Sequence, residues 1–152
     1  MSERDVQLKD KYPEILKNLG GDPSKTCMSW MHGGIDIGDG WIPLLKKLFD
    51  FCQFNHDRNG YPQLVAEQIK EKFGTLRFYY HFEECKTDHP HKKSEEYLEG
   101  AIEFASFLTS EICEFCGKPS KVHGKQWRTT ECKECEDERS RFNTKQMSLP
   151  FV

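Results

Sequence analysis

The sequence has 152 residues, 36% hydrophobic, 31% charged and 12% aromatic, with a formal net charge of -3. That length admits one domain with a small satellite rather than two full-sized domains, and the aromatic content argues against disorder along the whole chain. No apolar run approaches the roughly 18 residues of a membrane span, and the charged stretch from Met1 to Lys11 is unlike a signal peptide, so a cytoplasmic protein with reduced thiols is expected.

Residues 1 to 21 carry a helical pattern of Val6, Leu8, Tyr12, Ile15, Leu16 and Leu19, with Pro13 opening a second group of turns and Gly20-Gly21 ending it. In Met31-His-Gly-Gly-Ile-Asp-Ile-Gly-Asp-Gly-Trp41, four glycines and two aspartates alternate with apolar residues. The run Ile42, Leu44, Leu45, Leu48 and Phe49 then predicts a helix beginning near Trp41. Asp39 is placed to cap that helix, and Pro43 falls in its first turn, where a missing N–H costs nothing. Cys52, in an apolar stretch, reads as a small buried hydrophobe.

From Leu64 to Phe82 the period changes to two. Val65, Glu67, Ile69, Leu76, Phe78 and Tyr80 fall on one face, and Ala66, Gln68, Lys70, Arg77, Tyr79 and His81 on the other, with Gly74 at the turn. A β-hairpin is predicted, and a helix over Ala66 to Phe73 is the alternative. After the polar loop Lys86 to Lys93, Ser94 is placed to cap a helix whose stripe is Leu98, Ala101, Ile102, Ala105, Leu108 and Ile112, with Glu95 and Glu96 near its positive end. His81, Cys85, His89 and His91 are either a second metal set or an exposed loop.

That helix runs into Cys113-Glu-Phe-Cys116, which is separated from Cys132-Lys-Glu-Cys135 by fifteen residues. Two C-x2-C pairs at this spacing predict one structural Zn2+ held by Cys113, Cys116, Cys132 and Cys135, with no open coordination position; a redox dithiol pair is the alternative. Gly117 suits the φ > 0 backbone of a knuckle, and Pro119 ends the turn. The expected fold is α+β, a small antiparallel β-hairpin or sheet packed with helices and fused to a C-terminal four-cysteine zinc ribbon. The core takes residues 1–110, the ribbon 111–142 and a tail 143–152.

Residues 111–152 hold eight Lys/Arg against seven Asp/Glu, and four thiolates with Zn2+ add about -2. Glu134, Glu136, Asp137 and Glu138 form a negative run. Nucleic acid is therefore disfavoured as a partner over a broad surface, although Lys118, Lys121, Lys125 and Arg128 with Trp127 form a local basic face suited to a single strand. The hairpin is the stronger candidate surface. Lys70, Lys72 and Arg77 offer cations to a phosphate, Tyr79 or Trp41 offers a stacking platform, and Gln68 shares the face. Asp36 and Asp39, with His32 nearby, are the weaker alternative of a metal-dependent hydrolase.

The segments Gly38-Asp-Gly-Trp41, Gln68-Ile-Lys-Glu-Lys-Phe-Gly-Thr-Leu-Arg-Phe-Tyr79, Cys113-x2-Cys116-Gly117 and Trp127-Arg-Thr129, with the late Cys135, form a set spanning residues 30 to 135. As a set they resemble a family of small zinc-ribbon proteins of bacteriophages and bacteria, in which His takes the late ligand position held here by Cys135. The resemblance implies a phage setting and assigns no residue to a reaction. By analogy with small phage proteins that counter host defence, it implies a non-catalytic protein of the host cytoplasm that captures a nucleotide-like signal or a host protein.

Overall fold

The computed structural model describes residues 1–22, 30–83 and 91–147, without the side chains of 91 and 143–147. Helix α1 (Glu3–Lys11) starts at a capping box: Asp5 N–H donates to Ser2 Oγ, and Ser2 N–H donates to Asp5 Oδ2. The helix stops at Tyr12, and residues 13–20 are turns instead of the continued helix that the pattern suggested. Pro13 explains the stop, since proline disfavours helical backbone at the residue before it. Ile15, Leu16 and Leu19 are nonetheless fully buried, while Val6 is exposed.

Helix α2 (Ile42–Asn59) follows a single 3-10 turn, Asp39–Trp41, with Pro43 in its first turn as expected and Gly60 in the left-handed region (φ 66°) at its end. Asp39 does not cap it: Trp41 holds the N-cap position without a side-chain bond, and the exposed Asp39 carboxylate accepts from Arg4 Nη1 at 2.8 Å. Arg4 also donates to the carbonyls of Ile35 and Ile37, so it staples the glycine-rich segment to α1.

Strands β1 (Leu64–Lys72) and β2 (Thr75–Phe82) form the antiparallel hairpin and exclude the helical alternative. Phe73 and Gly74 both have positive φ (58° and 77°), the mirror-image turn that matches strand twist. Gln68 pairs with Tyr79 and Lys70 with Arg77, but Ala66 pairs with Tyr80, which leaves Glu67 as an extra residue in a bulge. The bulge corrects the strict alternation. Ala66 is buried in the core with Ile69 and Phe78, and Val65 pairs with His81. The outer edge of β1 is covered: Ala66, Asp36 and Trp30 N–H groups donate to Ile15 O, Ile69 O and Glu67 O respectively.

Helix α3 (His91–Leu108) begins three residues before Ser94, which therefore sits inside the helix and not at its cap. Leu98, Ile102 and Ala105 pack onto the hairpin and α2. A 3-10 turn, Thr109–Glu111, leads into the ribbon, where β3 (Val122–His123) pairs with β4 (Thr129–Thr130) and α4 (Lys133–Met147) follows. Residues 143–147, read as tail, belong to α4, and 148–152 lie outside the described residues, as do Cys27, Cys85, His89 and the His91 side chain. The architecture is α+β. Among the described residues no helix is long and apolar enough to cross a membrane.

Candidate metal centre

The first knuckle is a tight turn. Gly117 N–H donates to Cys113 O at 2.9 Å, and Gly117 takes the φ of 76° for which glycine suits this position. Cys113 N–H donates to Lys118 O, and Ile112 bridges to Pro119, so a short antiparallel return presents both sulfurs to one side. The second pair enters through β4. Cys132 N–H donates to Cys113 Sγ at 3.3 Å, and Cys135 lies in the first turn of α4.

The four sulfurs all lie within 4.8 Å of one another, and Cys116 Sγ is 3.6 Å from Cys132 Sγ. Tetrahedral bonds of about 2.3 Å put sulfurs roughly 3.8 Å apart, so the spacing fits one metal ion and is far too long for a disulfide. Burial alone would raise the Cys113 thiol, but backbone N–H groups of Cys116, Cys132 and Phe115 outweigh it and bring the pKa down to about 7. Burial and the neighbouring thiols push Cys135 up instead. A bound cation draws off the protons that the thiols retain.

The cluster is fixed to the core by Gly38-Asp-Gly-Trp41. Gly40 N–H donates to Glu114 O at 2.7 Å, Gly38 N–H donates to Glu114 Oε1 at 3.0 Å, and Trp41 Nε1 donates to Ile112 O at 2.7 Å. A Cβ at Gly40 would overlap Cys113 O and Gly117 N, and one at Gly38 would overlap Glu114 O. The two glycines are therefore required by the close approach of the knuckle. Trp41 is 1% exposed, so it supports the knuckle and cannot stack on a ligand, a correction to the sequence reading. Burial raises the Glu114 carboxyl above its ordinary value, and the buried Glu131 is held bidentately by Arg139. Neither acid was singled out in the sequence, where nothing distinguishes them from solvated glutamates.

Comparison with family models, curated proteins and solved structures yields no match.

Of the hairpin residues, Gln68, Lys70, Arg77 and Tyr79 share one face, with Lys70 directly opposite Arg77 and Lys70 Nζ 5.6 Å from the Tyr79 ring centroid. Lys72 Nζ lies 5.3 Å from the exposed Phe73 ring at the tip. Asp36 stands beside Lys70 as its parallel bridge partner. Among the described residues no carboxylate lies within ion-pair distance of Lys70, Lys72 or Arg77. The hydrolase grouping is not assembled, because the four cysteines form the one group of three or more potential ligands found there, and Asp39 is taken by Arg4. His81 Nδ1 instead lies 2.5 Å from Glu67 Oε1.

Proposed function

We propose that the chain is a zinc-stabilised, non-catalytic binding protein whose hairpin face takes a ligand bearing phosphate and base. Four thiolates complete the zinc coordination and leave no position for substrate, which assigns the metal a structural role. The observation that carries the binding role is the pairing of Lys70 with Arg77 beside Tyr79. Like charges directly opposite one another weaken a sheet, so such a pair on a part-exposed face suits the arrival of an anion. Gln68, across from Tyr79, adds an amide for a base edge or a phosphate.

The resemblance to bacteriophage proteins supplies the setting of this reading. It is a phage-encoded protein of the host cytoplasm that removes a nucleotide-like defence signal, with a host protein as the other occupant of the face. Calorimetric titration with nucleoside mono- and diphosphates tests it, alongside metal counting by native mass spectrometry. Lys70→Ala/Arg77→Ala is expected to weaken binding at least tenfold while retaining one zinc. Unchanged affinity in the folded double variant would contradict the assignment.

A further inference from the structure

The hairpin tip does not end in solvent but sits on the ribbon. Thr130 Oγ1 donates to Gly74 O at 2.5 Å, and a Cβ at Gly74 would meet Val122 Cγ1 at 3.0 Å and Thr129 C at 3.2 Å. Beside this junction lies a cavity of about 580 Å³, with Phe73, Thr75 and Arg77 on one wall and Lys125, Gln126 and Arg128 on the other. Three cations face it, and no carboxylate lines it. Residues some fifty positions apart in sequence thereby join the hairpin face and the ribbon's local basic face into one track, which continues past Lys72 to Lys70.

Two aromatic side chains, Phe73 in the lining of the groove and Trp127 in the ribbon loop beside it, lack the burial that ordinarily rewards them. Trp127, between Gln126 and Arg128, is 89% exposed, and Phe73 is 59% exposed. Phe73 also holds a left-handed φ of 58°, at a turn position that favours Asn, Asp or Gly. A strained backbone carrying an exposed ring is a poor choice for stability and a good one for presenting a stacking surface.

We infer that this groove binds single-stranded nucleic acid, the cations tracking the phosphate backbone and Phe73 and Trp127 stacking on unpaired bases. The inference rests on reading the hairpin face as an anion site and extends it from one phosphate to several. Cations on both walls, continued by Lys72 and Lys70, suit several phosphates in series. A duplex is a poor fit, because its bases offer no open faces to the two rings and the negative run from Glu134 to Glu138 interrupts any broad basic surface.

The test is fluorescence anisotropy of the zinc-loaded full chain with a labelled oligothymidylate of about ten nucleotides, competed by thymidine monophosphate and by a duplex of equal length. The strand is expected to bind at least tenfold more tightly than either competitor. Log affinity should fall with log salt at a slope between about -2 and -3.5, as three to five phosphate contacts on a single strand require. Phe73→Asn separates function from folding, since Asn tolerates the left-handed turn: melting temperature should hold or rise while affinity drops at least fivefold. Trp127→Ala should weaken binding similarly with the salt slope unchanged, and Arg128→Ala should lower the slope by about 0.7. Monophosphate binding equal to the strand's, and lost in Arg77→Ala, would overturn the single-strand assignment while leaving the anion site standing. Equal duplex binding, or wild-type affinity in a folded Phe73→Asn, would overturn it as well. No binding of strand or monophosphate would overturn both readings.

Discussion

Leu16, Trp41, Phe49, Ile69, Leu76 and Leu98 belong to one buried apolar cluster that spans α1 to α3, whereas beyond Thr109 Cys113 is the sole fully buried hydrophobic residue among those described. In the ribbon the large apolar side chains Phe115, Trp127 and Phe142 face solvent, the strands are two residues long, and the buried side chains include Glu114, Thr130 and Glu131. The core closes by removing apolar surface from water; the ribbon has too little of it and depends on its thiolate cluster. The two regions are joined by backbone and side-chain hydrogen bonds across a glycine-lined contact. A motif of glycines and aspartate that suggests a cation or phosphate site thus serves to hold a metal knuckle against a hydrophobic core.

The largest effect is expected where the ribbon loses its metal. Structural zinc contributes on the order of 10–16 kcal/mol in isolated fingers, far more than any single contact here. Cys113→Ser should bring the metal count in native mass spectra to zero and open residues 113–135 to limited proteolysis. The segment from α2 through β2 should stay intact, and cleavage there at the same rate would remove the distinction between the two regions.

Gly40→Ala attacks the junction. Its Cβ meets backbone on two sides, which cannot rotate away, and overpacking of this kind costs about 1–3 kcal/mol. Urea unfolding should register that loss and a chelator should strip the metal faster; wild-type behaviour in both would mean that the contact is dispensable. Trp41→Phe retains most of the apolar bulk but leaves Ile112 O without its indole donor, a loss of about 1–2 kcal/mol in the same urea measurement.

Thiol chemistry sharpens the comparison without a mutation. Burial raises the Cys52 thiol to about 12, so at pH 8 it presents almost no thiolate. After chelation, residue-resolved alkylation should label the ribbon cysteines as the ribbon opens and leave Cys52 unlabelled until the core itself unfolds. The smallest effect belongs to the core alone. Asp50 is held below its ordinary value by the Tyr12 hydroxyl at 2.7 Å and by Lys11. A lowered carboxylate pKa adds stability above the unfolded value of about 3.9 and loses it as pH falls through the folded value. Asp50→Asn should therefore flatten the acid limb of the stability curve below about pH 4, with metal retention unchanged.

The features legible in the sequence are those whose determinants are local. Cys113 to Cys135 could be paired from spacing because ligand geometry is fixed within each turn, and the hairpin from its period of two and Gly74. The bulge at Glu67 was not legible, since one extra residue shifts the register without changing the composition of either strand. Trp41 ahead of a leucine-rich helix suits a stacking platform and a core residue equally, and only the position of Ile112 O decides between them. Gly38 and Gly40 precede a helix as many glycines do; their need arises from Cys113 and Glu114, more than seventy residues away. A separation of some fifty residues likewise hid the joining of Arg77 with Lys125 and Arg128.

Hydrogen exchange read by mass spectrometry on the metal-loaded and the metal-stripped chain tests most directly whether the metal centre is anchored to the core through Gly38–Trp41. Stripping should expose the amides of residues 113–132 and also those of Gly38 and Gly40, whose acceptors are on Glu114, while Leu45–Cys52, Ile69 and Leu76–Phe78 keep their protection. Unchanged protection at Gly38 and Gly40 after metal loss would contradict that anchoring.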